Sequence, residues 1–275
     1  MKAWKQWLVF PLTLLFPATL IGVPSTMKSA CFPNKHHGLV CATYWTYRSD
    51  DFWNAQGKRC EAFNDFKKYA YRLYSEYGIT SKDALTARGG WAKVDESMNG
   101  REFGFEDIEI SWKHRLRKTD SYVMTTELVG IIPAKKGYRP GLRYGQWGGE
   151  VNLLATSGFS LWDRQGSYDL RLGYRIYEGF PSDQLRADAN IHFLPLPRLK
   201  VSASGQLEYG VWNGKSRIDQ SLFLLNPNYR LLKGKIEVEY CINRFCSIYA
   251  GYYRHLWGRN IGTRGGGYAG AEIQF

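Results

Sequence analysis

Apolar and polar residues alternate with a period of two in several stretches of this chain. In residues 168–177, one face would carry Tyr168, Leu170, Leu172, Tyr174 and Ile176. The same alternation recurs in residues 107–116, 184–193, 200–211 and 233–242. Because successive side chains of a strand point to opposite faces, the pattern predicts β-strands. Each is long enough for a tilted crossing of a lipid bilayer.

Twelve strands follow from this pattern, over residues 39–48, 60–76, 83–94, 103–116, 121–132, 144–159, 167–179, 184–194, 199–212, 230–242, 245–257 and 267–275. Connections after the even-numbered strands are short, and most of the others are long, as in barrels with short periplasmic turns and long external loops. We therefore predict an all-β fold, a transmembrane antiparallel up-and-down β-barrel of about twelve strands. Ten or fourteen strands remain open, and so does a soluble β-sandwich, whose strands also alternate.

The last predicted strand ends on an aromatic residue, Phe275. Such a strand resembles the closing strand of bacterial outer-membrane β-barrels, where the terminal aromatic residue is the assembly signal. The resemblance implies a multi-pass protein of the bacterial outer membrane, in contact with lipid and lipopolysaccharide and recognised by the barrel assembly machinery. Aromatic residues make up 16% of the chain, which is consistent with rings gathered at two membrane interfaces.

The first thirty residues are typical of an export signal. Lys2 and Lys5 precede an apolar run over residues 7–23, which is followed by small residues. We predict a signal peptide over residues 1–30 and a barrel over residues 31–275, with a short N-terminal periplasmic or plug segment.

Five cysteines in an exported chain allow disulfides. Cys241 and Cys246 flank Asn243 and Arg244, which we expect to form a two-residue hairpin turn. That turn would place the two cysteines opposite each other, so we predict a cross-strand disulfide. Two unbridged small residues are the alternative.

Several motifs occur in an order that resembles a known family. Residues 73–86 contain Glu-Tyr-Gly-Ile-Thr between two predicted strands, and residues 104–116 contain Gly-Phe-Glu-Asp-Ile followed by polar alternation. Residues 172–175 and 183–188 fit the same pattern. The set resembles outer-membrane transport barrels associated with degradation of phenol-like compounds through the meta pathway, a group compared with fatty-acid channels. The resemblance implies a transport barrel and assigns no ligand residue.

The formal net charge is +12, and the predicted lumen contains both signs in similar number. The candidate lumen or solute-path residues are Arg72, Arg88, Lys113, Arg115, Asp169, Arg171, Arg175, Arg186, Asp188, Glu208, Lys235 and Glu237. They could form an ion-pair lattice that braces a narrow barrel, or they could line a polar channel with a charged constriction. Arg171, Arg175 and Arg186 lie on neighbouring strands and could together face an anionic group.

Much of the positive excess lies in the predicted external loops, at Lys135, Lys136, Arg139, Arg143, Lys215, Arg217, Arg259 and Arg264. These loops could contact the phosphates of lipopolysaccharide, or they could attract acidic solutes towards the lumen. The charge is dispersed over loops, so we expect no nucleic-acid partner.

The sequence predicts no catalytic residue, cofactor or metal site. An outer-membrane lipid hydrolase would need a histidine within reach of a serine. His255 is the best-placed histidine and has no serine two residues later, so we expect it in the aromatic belt. We predict a channel or transporter for passive passage of small solutes, which could be acidic or aromatic. The alternatives are a closed structural or adhesion barrel and, second, a lipid hydrolase.

Overall fold

The computed structural model describes residues 32–97, 100–135, 142–179, 181–211 and 228–275. Within them, the strands are β1 Gly38–Trp53, β2 Arg59–Gly78, β3 Asp83–Glu96, β4 Gly100–Phe105, β5 Ile108–Lys118, β6 Tyr122–Ile132, β7 Gly148–Leu161, β8 Arg164–Tyr177, β9 Gln184–Leu196, β10 Leu199–Gly210, β11 Arg230–Cys241, β12 Cys246–Arg259, β13 Ile261–Gly262 and β14 Gly265–Gln274. The predicted signal peptide lies outside the described residues. The described part contains no helix with the length and apolar character of a membrane span.

The strands form a closed antiparallel barrel of twelve crossings. Closure occurs at β1, which pairs with β2 on one side and with β14 on the other, so that Leu39 lies between Glu76 and Gln274. Strands β4 and β5 both pair with β3 and share one crossing, and β13 and β14 both pair with β1. The predicted all-β barrel is thus confirmed.

The alternation in sequence becomes an apolar outer wall and a polar lumen. On β8, Leu172 and Ile176 are exposed on the outer wall, whereas Asp169 and Arg175 are buried inside. The same division holds on the neighbouring strands, where exposed Val151 and Leu185 point outward. An outer surface of large exposed apolar side chains is stable in lipid and unfavourable in water.

The two ends of the barrel differ in loop length. The short-turn end has connections 79–82, 119–121, 162–163, 197–198 and 242–245. The long-loop end has 54–58, 97–99, 133–147, 178–183, 211–229 and 260–264, the last of which contains β13. Phe275 lies at the short-turn end, where its backbone exchanges hydrogen bonds of 2.8 and 3.0 Å with Gly38 and its ring stacks on Tyr77.

Two of the differences from the predicted strand boundaries concern the lumen. The predicted strand 144–159 starts only at Gly148, because residues 142–145 fold into the barrel. There Leu142 is buried against Phe66, and the Asp107 carboxylate accepts hydrogen bonds from the backbone of Tyr144 and Gly145 at 2.8 and 3.2 Å. The predicted strand 103–116 is interrupted at residues 106–107, which frees Asp107 for this contact.

Candidate functional site: the lumen cavity

A cavity of about 590 Å³ occupies the lumen towards the long-loop end. Eight of the twelve predicted lumen residues line it: Arg72, Arg88, Arg171, Arg175, Arg186, Asp188, Glu208 and Lys235. The strand period explains this placement, because inward positions of neighbouring strands share one lumen.

One wall of the cavity is an ion-pair chain of alternating sign. It passes through Arg88, Glu109, Arg175, Glu150, Arg186 and Glu208. The charged atoms lie 2.5 Å apart for Arg88–Glu109, 3.2 Å for Arg175–Glu109 and 3.4 Å for Arg186–Glu208. The chain connects β3, β5, β8, β7, β9 and β10, so it braces much of the barrel.

The ion-pair chain changes the role expected for Arg171, Arg175 and Arg186. Arg175 and Arg186 both bind Glu150, and Arg171 lies 3.6 Å from Glu127 and 3.9 Å from Asp188. The three guanidinium groups are therefore directed at carboxylates of the wall and do not jointly present an anion site.

Two tyrosines from the long-loop end complete this wall. Tyr229 donates its hydroxyl to Glu208, accepts a hydrogen bond from the Gln184 side-chain amide at 3.1 Å, and lines the cavity together with Tyr144. Burial raises the pKa of Tyr144 and of Tyr229, so both remain neutral hydroxyls at neutral pH.

The opposite wall combines aromatic rings and cations. Trp45 stacks on Tyr268 with ring centroids 4.4 Å apart, and Tyr253 packs 5.0 Å from Trp45. The Arg72 guanidinium lies 5.5 Å from the centre of the Trp45 ring and binds Glu106 at 2.6 and 2.8 Å. Rings of this kind can contact an apolar part of a solute, while the cations attract its charged part.

Lys233 is a lumen cation that the sequence reasoning missed. It lines the cavity beside the aromatic wall, 6.0 Å from the Tyr253 ring, and no described carboxylate lies within ion-pairing distance of its ammonium group. The nearby Lys235 is paired with Glu237 at 3.1 Å. Lys233 alternates with apolar neighbours just as Lys235 does, so the same pattern could have identified it.

The predicted position of His255 in the aromatic belt was wrong. Its ring points into the lumen, lies 5.2 Å from Tyr47 and donates from Nδ1 to the Gly262 carbonyl at 2.8 Å. His255 lies on the same face of β12 as the buried Ser247 and Tyr253, and the four-residue turn at 242–245, in place of the predicted two-residue turn, directs that face into the lumen.

The other four predicted lumen residues lie in the lumen but away from the cavity lining. Lys113 binds Glu76 at 2.9 Å, and both side chains are buried. The other three have separate contacts: Asp169 binds His192 at 2.9 Å, Glu237 accepts from Tyr268 at 2.8 Å, and Arg115 stacks on Phe32 at 4.3 Å. Phe32 precedes β1 and is almost fully buried, so the start of the described chain narrows the short-turn end.

The predicted external basic residues fall into three groups. Arg143 is not on an exposed loop, because its segment folds inward and it lines the cavity. Lys135 is exposed, Arg264 binds Asp50, and Arg259 lies 6.0 Å from the Trp257 ring. Four more lie outside the described residues: Lys136, Arg139, Lys215 and Arg217.

The predicted Cys241–Cys246 disulfide was wrong. The hairpin turn spans residues 242–245 instead of two residues, and Cys241 lies opposite Ser247. Ser247 is buried in the lumen, whereas Cys246 lies opposite the exposed Ile273. The two cysteines thus face opposite sides of the wall, and no bond joins them.

Within the described ranges, no three His, Cys, Asp or Glu side chains are grouped so that they could hold a metal ion.

Solved structures with a similar fold include outer-membrane channels and porins. The COG4313 outer membrane channel from Pseudomonas putida F1 is 13% identical, with 92% of this chain and 98% of that chain covered and a TM-score of 0.65. A KdgM porin is 9% identical over 85% of this chain and 99% of its own, with a TM-score of 0.53. A second KdgM structure, in complex with disordered oligogalacturonate, is 8% identical over 86% and 99%, with a TM-score of 0.51.

At these identities the similarity establishes the fold alone, an antiparallel β-barrel of the kind found in outer-membrane channels. No protein-family model matches the chain. No curated protein matches it either.

Proposed function

We propose that this protein is an outer-membrane channel for the passive passage of small acidic solutes. The central observation is the cavity, whose described lining contains nine Lys and Arg residues and seven Asp and Glu residues. A positive excess inside a narrow polar lumen attracts anions and repels cations of similar size. The long-loop end would face the exterior and the short-turn end the periplasm.

Lys233 is the proposed contact for the solute's carboxylate. The arginines of the ion-pair chain are already paired with wall carboxylates, whereas Lys233 faces the cavity without an ion pair among the described residues. The aromatic wall beside it offers a surface for an apolar ring or chain. The KdgM structure solved with oligogalacturonate shares this fold and supports an acidic cargo.

Efflux from proteoliposomes tests the proposal. The full chain is refolded into vesicles that contain either radiolabelled glucuronate or radiolabelled glucose. These two solutes have similar size and different charge. We expect glucuronate to leave several-fold faster than glucose. The Lys233→Gln substitution should lower the efflux rate of glucuronate and leave the efflux rate of glucose unchanged. Lys93→Gln, which removes a cation from the outer wall, is the matched control.

Two results would contradict the proposal. Equal rates for the two sugars would remove the acidic preference. Retention of both solutes would favour a closed structural barrel that acts through its loops, as the narrow short-turn end and the bracing ion-pair chain would permit.

A further inference from the structure

The outer wall of the barrel carries a row of basic side chains near the long-loop end. Strand register places these positions side by side on adjacent strands: Arg254 and Arg48 both lie opposite Gly265, and Arg48 lies opposite Lys67. The row continues through Asp95 to Arg101 on β4. We call the four cations Arg48, Lys67, Arg101 and Arg254 the basic arc.

The basic arc is accessible and only partly neutralised. The side chains of Arg48, Lys67 and Arg101 are 56%, 40% and 67% exposed, and Arg254 is exposed as well. Asp65 lies 3.3 Å from Arg48 and 3.9 Å from Lys67, and Asp95 lies 3.0 Å from Arg101. Arg254 has no carboxylate partner among the described residues. The arc therefore keeps a positive excess.

Aromatic rings lie directly below the arc, further from the long-loop end. Tyr252, Tyr69 and Phe103 lie two residues from Arg254, Lys67 and Arg101 on the same strands, towards the short-turn end. Lys93 pairs with both Tyr69 and Phe103 at this level. Two residues further, the register contains Tyr44, Tyr71, Trp91 and Phe105, whose exposed rings face outward. A strand rises about 3.3 Å per residue, so the arc lies roughly 7 Å above the first ring level. Aromatic belts mark the headgroup region of a bilayer, and the arc would lie at the depth of the lipid phosphates.

The opposite side of the barrel lacks such a row. On β5 to β9, the outward positions in the long-loop half are apolar or small, for example Ile110, Gly130, Val151, Ile176 and Leu185. Outward Lys and Arg residues are absent from that half of these strands within the described ranges. The arc is therefore confined to one side of the barrel, from β12 through β14, β1, β2 and β3 to β4, and is not a charge belt around the whole barrel.

We propose that the basic arc binds the phosphate groups of lipopolysaccharide in the outer leaflet. Guanidinium groups bind phosphate through paired hydrogen bonds, and an ammonium group adds a point charge. Several cations at headgroup depth hold anionic lipid at a membrane surface. The inference rests on the proposed placement in the outer membrane and is independent of conduction through the lumen.

Lipid binding to the purified, refolded full chain tests this. The probes are bis-phosphorylated lipid A, lipid A from which both phosphates have been removed, and phosphatidylglycerol, each titrated in detergent and counted by native mass spectrometry. The variant combines Arg48→Gln, Lys67→Gln and Arg254→Gln. The matched control combines Arg117→Gln and Lys118→Gln, which removes two cations at the short-turn end. Circular dichroism and heat-modifiable gel mobility confirm that each variant is folded.

We expect bis-phosphorylated lipid A to bind wild type at least about tenfold more tightly than the dephosphorylated form. The triple variant should lose that preference, and the control should keep it. The proposal is overturned if the folded triple variant binds bis-phosphorylated lipid A like wild type, or if the phosphates make no difference. Equal competition by phosphatidylglycerol would overturn the assignment to lipopolysaccharide. Conductance of the same triple variant should match wild type, so a failure of this site is separate from a failure of the channel.

Discussion

Arg186 on β9 reaches past β8 and places its Nη1 atom 3.0 Å from Oε2 of Glu150 on β7. The same carboxylate binds Arg175 of the intervening strand. One buried Glu150 side chain therefore connects three neighbouring strands of the barrel wall, through charge–charge contacts in addition to the backbone ladder.

Glu150→Gln should destabilise the folded barrel by about 3 kcal/mol, because it removes the charge shared by two buried guanidinium groups. Urea unfolding of the barrel in vesicles measures this. Glu178→Gln, a change of the same kind on an exposed loop residue, should change stability little. Equal stability of Glu150→Gln and wild type would mean that the ion-pair chain does not brace the wall.

The positions of Arg175 and Arg186 were predictable, because a period of two fixes the face of every residue in an unbroken strand. The same rule holds from Ser247 through Tyr253 to His255, but the face it assigns depends on the turn before β12, which has four residues instead of the predicted two. Alternation also does not fix the partner of each charge. It brought Arg171, Arg175 and Arg186 into one lumen, but the carboxylates that bind them come from several strands.

Loops and turns account for the other differences. Arg143 was expected outside, and the backbone hydrogen bonds to Asp107 hold its segment inside the lumen. The predicted disulfide depended on turn length, which the sequence around Asn243 did not determine. Asn243 accepts hydrogen bonds from the backbone of Phe245 and Cys246 at 2.8 and 2.9 Å, which stabilises the longer turn.

Phe32→Ala should increase single-channel conductance, because it removes a buried ring from the narrow short-turn end of the lumen. Planar bilayer recording of the refolded chain measures this. Tyr122→Ala is the matched control, since its ring contacts Arg117 at 5.8 Å at the same end, on a strand neighbouring that of Arg117. If the Phe32→Ala channel conducts like wild type, Phe32 does not limit the path.

Asp107→Ala should release residues 142–145 from the lumen, because two backbone N–H groups lose their acceptor. Limited trypsin digestion in detergent measures the release as faster cleavage after Arg143. The control is Asp65→Ala, which removes an exposed outer-wall carboxylate. Trypsin should cleave this variant after Arg143 at the wild-type rate. Unchanged cleavage of the Asp107 variant would show that other contacts are sufficient to hold the segment.

Cys241 and Cys246 should both react with iodoacetamide after denaturation without a reducing agent. The register places them on opposite faces of the hairpin, beyond the geometry that a disulfide requires. Mass spectrometry of the peptides reports the modification of each thiol. If both cysteines react only after a reducing agent is added, the two thiols form a disulfide, and this register is contradicted.

The most direct test of the central claim is the reversal potential of the refolded chain in a planar bilayer under a potassium chloride gradient. The account predicts a steady current whose reversal potential lies towards the chloride equilibrium value. It also predicts a shift towards zero in Lys233→Gln and no shift in Lys93→Gln. A reversal potential on the potassium side, or no steady current at all, would contradict a lumen that passes small anions.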